Sequence, residues 1–178
     1  RSLVDGSACR LLINDVQGGL ISGRMRLNVN RRIVVTGLGL ITPVGNTVAD
    51  TWEAIVAGRS GIAPIDTFDT SKFSSRIGGA IKNFDLESYI TPKDARKMDP
   101  FIHYGIASCI QAINDSGLEI TDENATRIGI AYGSGIGGLP GIERGHDAYL
   151  AGGPRKISPF FVPSNIINMV AGNLSIRY

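Results

Sequence analysis

The sequence predicts an α/β fold in a single globular domain, and two patterns support this assignment. The first is an alternation of short β-branched runs with amphipathic, helix-like stretches along the chain. The second is the placement of glycine, because many of the 23 glycines stand where a strand-like run gives way to a helical one. With 178 residues the chain can bury a sizeable core.

The first predicted element is a buried strand over residues 31–37, where a continuous β-branched run ends in glycine. A helix is predicted next, from a cap at Asn46 or Thr47 to about Ala57. Asp50 follows Thr47 by three residues and supplies the acidic partner of a box-like cap. Gly58 supplies the stop signal for this helix.

Two helices are predicted after a loop over residues 59–90 that contains short extended pieces. Each opens with a proline at the first helical position, in Thr91-Pro92 and in Asp99-Pro100. The second helix runs to Ser116, before Gly117, and it is the strongest of the chain. Its apolar face is formed by residues that recur every three or four positions: Ile102, Ile106, Cys109, Ile110 and Ile113.

The remaining elements surround a glycine-rich loop at residues 133–141. A strand over 127–132 is predicted before the loop, and a helix near 140–151 after it. A proline-bounded loop over 152–163 contains the stretch Pro-Phe-Phe-Val-Pro, which indicates either packing or the wall of an apolar pocket. A last helix is predicted near 164–171.

Composition excludes several classes of protein. A net charge of +2 gives no electrostatic footprint for nucleic acid, and no apolar run reaches the roughly 18 residues of a membrane span. Two distant cysteines form neither a zinc motif nor a disulfide framework, which favours a reducing, cytoplasmic setting. Because Met25 lies inside the chain, residues 1–24 are interpreted as an upstream or non-native extension.

The glycine clusters do not fit phosphate-binding motifs. Gly37 and Gly39 begin a GxGxxG-like pattern, but Thr42 stands where the third glycine belongs and Pro43 lacks a backbone donor. The later cluster has Leu139 where a P-loop has lysine. A Rossmann oxidoreductase is therefore a disfavoured alternative, and the sequence predicts no cofactor.

A cysteine nucleophile is not supported either. Cys109 lies in mid-helix on the apolar face, whereas reactive cysteines favour a helix N-terminus or nearby positive charge. His103 and His146 stand in unrelated contexts, and neither is spaced to act as its base or to complete a metal site. We expect a buried structural thiol at Cys109 and no metal.

Two small basic groups remain as candidate binding residues. Lys93, Arg96 and Lys97 would share one face of a helix, and Arg155 and Lys156 form a second group. Ordinary solvated charge is the plainer interpretation. The alternative is that both groups steer an acidic partner while the chain as a whole stays nearly neutral.

Taken together, these segments resemble the β-ketoacyl-[acyl-carrier-protein] synthases, above all the type II elongation enzymes of bacterial fatty-acid synthesis. Each motif alone is weak, but their order along the chain, from about residue 29 to the end, is specific. The stretches that carry the resemblance are residues 31–39, 43–47, 96–99, 104–105, 115–121, 133–139, 153–164 and 169–172.

The resemblance implies a thiolase-like fold with α-β-α-β-α layers, of which residues 25–178 would be only part of the first half. It also implies a homodimer that condenses an enzyme-bound acyl chain with malonyl-acyl-carrier protein to give a 3-oxoacyl product. A non-catalytic partner subunit of the same fold is the alternative, and this sequence does not decide between them.

The resemblance also implies roles for individual residues. The family's catalytic cysteine and two histidines are expected beyond residue 178, so no catalytic residue is assigned and the chain alone is expected to be inactive. Ile136 resembles a gate and wall residue of the acyl pocket, and Phe161 an aromatic that closes its far end across the dimer interface. The expected docking residues for the acidic acyl-carrier protein are Lys93, Arg96, Lys97, Arg155 and Lys156.

Overall fold

The computed structural model describes residues 7–8 and 32–178. Apart from Ser7–Ala8, the extension expected over residues 1–24 lies outside the described residues. Antiparallel pairs are formed by strands β1 (Ser7–Ala8) and β2 (Leu40–Ile41), and by β3 (Ala63–Pro64) and β4 (Ile77–Gly78). The helices are α1 (Val48–Val56), α2 (Pro92–Ala95), α3 (Pro100–Ser116), α4 (Leu139–Gly152), α5 (Phe161–Asn165) and α6 (Met169–Arg177). Short 3₁₀ turns occupy Ala125–Arg127 and Pro154–Lys156.

The helix starts predicted from local signals are confirmed. At α1, the Thr47 side chain accepts a hydrogen bond from the Asp50 backbone at 3.1 Å and donates one to the Asp50 carboxylate at 2.8 Å. Thr91 caps α2 in the same way, with Asp94 as its partner. At the end of α3, Gly117 adopts the left-handed conformation at φ 63°, which a residue with a Cβ rarely adopts.

Helix α3 is the centre of the core, as its apolar periodicity predicts. The buried side chains of its inner face pack against α6, which contributes Val170 and Leu174. Ile102 and Val170 are fully enclosed, and Cys109 is only 2% exposed. Cys109 is therefore buried as expected, but the structure has it in a disulfide, so the predictions of a free structural thiol and of no disulfide are both wrong.

The predicted strand over residues 31–37 is not formed. Residues 32–39 have no regular secondary structure, and Ile33, Val34 and Val35 are largely exposed. A buried strand needs neighbours on both edges, and within the described part of the chain no strand pairs with this segment. No strand is formed over 127–132 either, because Arg127 ends a 3₁₀ turn, Ile128 forms only an isolated β-bridge, and residues 129–132 have no regular secondary structure.

The first glycine cluster lies against α3. A side chain at Gly37 would collide with the backbone of Ala112, and one at Gly39 with the backbone of Ser108. Helix side chains complete the contact, since the Asp115 carboxylate accepts from the Leu38 backbone at 2.8 Å. These glycines allow close chain-to-helix packing, and no room is left there for a phosphate.

The single helix predicted near 164–171 is two helices. Helix α5 ends at Asn165, and Ile166 has an extended backbone, with φ −77° and ψ 140°. Helix α6 begins at Met169, after this break. The described residues contain no helix that is both long and apolar enough to cross a membrane.

Candidate functional site

A buried carboxylate joins three helices at the centre of the candidate site. Asp99 precedes the first residue of α3 and is 2% exposed. Its carboxylate accepts hydrogen bonds from the Gly141 backbone at 2.9 Å and from the Arg144 guanidinium at 3.3 Å, both in α4. Its own backbone N–H donates to the Ser164 carbonyl of α5 at 3.2 Å. Asp99 therefore fixes the start of α4 and the end of α5 on α3.

The glycine-rich loop is shaped by its contact with Asn165. The Gly138 backbone donates to the Asn165 carbonyl at 2.9 Å, and Gly137 has a positive φ of 92°. Added side chains at Gly138 and Gly141 would overlap the Asn165 side chain. The glycines thus let α4 begin directly against α5, which is a close approach that only glycine permits.

A small cleft of about 190 Å³ opens beside this junction, between α4, α5 and the turn at residues 154–156. Three basic side chains line it, and each comes from a different part of the chain: Arg96 after α2, Arg144 in α4 and Lys156 in the turn. The ring of Phe161 closes one wall by packing against Gly145, where an added side chain would collide with it.

A larger cleft of about 610 Å³ lies on the other side of Phe160. Its lining is mostly apolar and includes Met98 before α3, Ile106 in α3, and Met169 and Ile176 in α6. Phe160 and Met98 line both clefts, so these two residues form the wall between a basic site and an apolar one.

The structure brings together residues from the two predicted basic groups. Arg96 and Lys156 line the same small cleft, although they are sixty positions apart in the sequence. The prediction that Lys93, Arg96 and Lys97 share a helical face is wrong, because α2 ends at Ala95. Helix α2 stops early because Pro100 begins the next helix, and a proline disfavours helical backbone in the residue before it.

The five basic residues differ in their surroundings. Lys93, Arg96, Arg155 and Lys156 are exposed, whereas Lys97 is partly buried. The ammonium of Lys97 forms an ion pair with Asp94 at 2.9 Å and lies 5.9 Å from the centre of the Phe160 ring. Lys97 therefore has a structural role besides any role in binding.

The two predicted acyl-pocket residues lie apart in the described chain. Ile136 stands at the tip of the glycine loop, 71% exposed, and lines neither of the two clefts. Phe161 is half-buried in the small cleft. A pocket that both residues share across a dimer interface stays a prediction.

Other side chains near the site that could take part in proton transfer include His103, His146 and Tyr104. The Nε2 atom of His103 is 3.0 Å from the Ala95 carbonyl oxygen, which ties α3 to the end of α2. His146 is exposed on α4. Burial, together with the negative charge of Asp99, raises the pKa of Tyr104 above its ordinary value. No group of acidic, histidine or cysteine side chains among the described residues is arranged to hold a metal.

Arg144 is the site residue that the sequence did not indicate. In the sequence it is one charge on a surface helix, and its partner Asp99 lies 45 positions earlier. Asp147 lies three positions after Arg144 on the same helix and offers a local partner, so the sequence gives no signal that points to Asp99. A pairing between residues so far apart in the sequence can be identified only once the folded structure is known.

Comparison with known proteins places these features in a family context. A family model described as β-ketoacyl synthase, N-terminal domain, matches residues 30–178. The chain is 64% identical over 146 residues to 3-oxoacyl-[acyl-carrier-protein] synthase 2 of Vibrio cholerae, and 51% identical over 148 residues to the synthase of the same name from Coxiella burnetii. These alignments cover 82% and 83% of the chain but only 35% and 36% of the relatives, so it spans about a third of their length.

Solved structures give the same answer for the fold. A ketosynthase of a type II polyketide system, determined in complex with its acyl-carrier protein and bound to a hexaketide, matches with a TM-score of 0.66 and 28% identity. That match covers 82% of this chain and 39% of the other. A β-ketoacyl synthase from Burkholderia phymatum matches with a TM-score of 0.65 at 24% identity, covering 80% of this chain and 36% of that one. The thiolase-like fold expected from the sequence is confirmed by these neighbours.

Proposed function

The chain belongs to the β-ketoacyl synthase family, and we propose that it serves the chain-elongating condensation of fatty-acid biosynthesis. In this reaction an acyl thioester is joined to the carbanion that forms when malonyl-acyl-carrier protein loses carbon dioxide, and the product is a 3-oxoacyl thioester. The observation that carries the proposal is the 64% identity to a 3-oxoacyl-[acyl-carrier-protein] synthase 2. Residues 25–178 would form the N-terminal part of the synthase domain of a cytoplasmic homodimer.

The proposed partner is an acyl-carrier protein, an acidic protein that would dock on the basic side chains around the small cleft. The proposed docking residues are Lys93, Arg96, Lys97, Arg155 and Lys156. The exposure of Lys93, Arg96, Arg155 and Lys156, together with the convergence of Arg96 and Lys156 on one cleft, supports this role. A neighbouring ketosynthase structure that contains an acyl-carrier protein supports the class of partner.

The proposed acyl-pocket residues are Ile136 and Phe161. An exposed isoleucine at a loop tip is costly to leave in water, which supports an apolar partner surface for Ile136 in the assembled enzyme. The alternative function, a non-catalytic partner subunit of the same fold, is less favoured because curated relatives at 51–64% identity carry the name of a synthase.

The reaction is tested by a radiolabelled malonyl-condensation assay on the gene product that carries this sequence, with the 178-residue chain assayed in parallel. We expect 3-oxoacyl product from the gene product and none from the 178-residue chain. A gene product that binds acyl-carrier protein without turnover would favour the partner subunit. Turnover by the 178-residue chain would show that it contains catalytic residues of its own, contrary to expectation.

Docking is tested by reversing charge at exposed positions and measuring affinity for acyl-carrier protein. We expect Arg96→Glu to weaken binding at least tenfold at low salt, with the loss shrinking as salt is added, because steering between exposed charges is screened. Lys72→Glu is the matched control, since Lys72 is an exposed lysine outside the proposed surface. Equal loss of affinity in both variants would mean that the change in net charge alone weakens binding, which would contradict a defined docking surface.

A further inference from the structure

Asn165 lies between the glycine-rich loop and Phe161, and it is buried although its side chain is polar. It is the last residue of α5 and is only 6% exposed. Its backbone carbonyl accepts a hydrogen bond from the Gly138 backbone, and its Nδ2 atom donates one to the Phe161 carbonyl, one turn earlier. Asn165 therefore contacts both the start of α4 and the helix that carries Phe161.

The Oδ1 atom of Asn165 is buried without a hydrogen-bond partner among the described residues. It faces the backbone of the glycine-rich loop, because side chains added at Gly138 or Gly141 would overlap it. The N–H groups of these two glycines have other acceptors, which are the Asn165 carbonyl and the Asp99 carboxylate. A buried amide oxygen without a partner costs free energy. Hydrogen bonding is therefore a poor reason for an amide at this position, and the space that it fills is a better one.

The glycine-rich loop is packed against Asn165 at one end and open at the other. Gly137 has φ 92°, and a side chain added there would collide with the Asn165 carbonyl. The Ser134 hydroxyl accepts from the Gly137 backbone at 3.1 Å, which closes the turn that carries Ile136. Around Gly135, by contrast, an added side chain would meet no described atom within 4 Å. The contact with Asn165 thus fixes the end of the loop from which Ile136 projects.

We propose that Asn165 is a positioning residue that sets the length of the acyl chain the synthase elongates, because it fills the space between the glycine-rich loop and Phe161. This inference rests on the proposed function, in which Ile136 and Phe161 are walls of the acyl pocket. Without the amide group, the end of the loop or the ring of Phe161 moves into the vacated space and the pocket lengthens. Each further methylene group that the pocket buries favours the longer chain roughly fourfold.

A purely structural role for Asn165 predicts a different result. If the side chain only stabilised the contact between α4 and α5, its loss would lower the amount of folded enzyme and reduce activity towards all acyl chains alike. The ratio of two activities measured on one preparation does not depend on how much of the protein is folded. A change in this ratio therefore separates control of chain length from stabilisation.

The test measures kcat/KM of the gene product that carries this sequence, with hexanoyl- and myristoyl-acyl-carrier protein as acyl donors. We expect Asn165→Ala to raise the ratio of myristoyl to hexanoyl activity at least fourfold, while the KM for malonyl-acyl-carrier protein changes less than twofold. Asn168→Ala is the matched control, since it removes the same side chain from an exposed position three residues later. It should leave the ratio unchanged.

Asn165→Leu separates the space that the side chain fills from the hydrogen bond that it donates. Leucine has nearly the shape of asparagine but cannot donate to the Phe161 carbonyl, which keeps a hydrogen bond from the Ser164 hydroxyl at 3.1 Å. We expect the ratio in Asn165→Leu to stay within twofold of that in the unsubstituted protein. An unchanged ratio in Asn165→Ala, an equal change in Asn168→Ala, or an equal change in Asn165→Leu would each overturn the proposal.

Hydrogen exchange in the same proteins distinguishes failure of this inference from failure of the proposed function. If the unsubstituted protein is active but Asn165→Ala leaves the ratio unchanged, the proposed function stands and this inference alone fails. If the unsubstituted protein condenses no acyl chain, the proposed function fails and the control of chain length fails with it. Faster exchange at residues 133–141 in Asn165→Ala than in Asn168→Ala would then still support positioning of the loop by Asn165. Equal exchange would contradict that as well.

Discussion

At the scale of single residues, Asp99 connects the fold to the candidate site. Its carboxylate is buried, yet it is held by a backbone N–H and a guanidinium, which together offset the loss of water around a charge. The same contact leaves Arg144 at the edge of the small cleft. One carboxylate thus holds both the start of α4 and the guanidinium of a basic residue that lines the cleft.

Asp99→Asn should destabilise the protein by roughly 1–3 kcal/mol, because a charge-assisted hydrogen bond is lost and an amide group faces the guanidinium. The measurement is the free energy of unfolding in urea. Glu53→Gln is the matched control, since it removes a carboxylate paired with Arg59 at 2.7 Å on an exposed surface. The control should lose no more than about 1 kcal/mol. Equal losses would mean that burial of Asp99 contributes nothing.

Tyr104 gives an alkaline pH dependence whose sign follows from its environment. Burial first, and the charge of Asp99 second, raise the pKa of Tyr104 above its ordinary value of 10.0. A raised pKa means that the neutral phenol stabilises the folded state below pH 10 and that this contribution is lost as pH rises through the folded pKa. Titration of tyrosinate absorbance, with Tyr104→Phe as the subtraction, should show a late-titrating component.

The charge of Asp99 can be separated from burial in the same titration. Asp99→Asn should lower the pKa of Tyr104 while leaving it raised, because burial is the larger cause. A pKa that rises in Asp99→Asn would contradict the assigned role of the carboxylate.

At the scale of elements, the sequence predicts helices well and strands poorly, for a physical reason. Caps, helix-start prolines and stop glycines act within a few residues, so the starts of α1, α2 and α3 are predicted correctly. Strands need distant partners, and the apolar run at 31–37 has none among the described residues. The contact between Asp99 and Arg144 escapes prediction for the same reason, since nothing local marks it.

The contact between α4 and Asn165 predicts an unusual effect of a glycine-to-alanine change. In an ordinary helix interior, replacing glycine with alanine stabilises by roughly 0.5–1 kcal/mol. At Gly141 the added methyl group would overlap the Asn165 side chain, so Gly141→Ala should instead destabilise by roughly 1–3 kcal/mol. Thermal and urea unfolding measure this difference.

Gly135→Ala is the control within the same glycine-rich loop, because no atom lies within 4 Å of a side chain added there. It should change the free energy of unfolding by less than about 0.5 kcal/mol. A double-mutant cycle of Gly141→Ala with Asn165→Ala should show that the two losses are not additive. Additive losses would mean that Asn165 is not what the methyl group meets.

At the scale of the whole molecule, the buried core contains only part of the chain's apolar side chains, and many others are exposed. Helix α3 packs against α6 and the segment before α2, while apolar side chains elsewhere face outward. Ile33, Val34 and Val35 are all more than half exposed, and so are Trp52 and Val56 of α1. Contiguous exposed apolar surface of this kind normally marks an interface with further protein.

The 178-residue chain should therefore self-associate, and Val34 offers the sharpest test. Sedimentation should show association that increases with protein concentration, and the chain should bind a hydrophobic dye, because exposed apolar backbone segments can pair between molecules. Val34→Lys should reduce both signals by placing a charge in the apolar run at 31–37. Thr36→Lys adds the same charge at an exposed polar position of the same segment and should reduce them less. A monomeric chain without dye binding, or equal effects of the two lysines, would show that this apolar run does not drive association.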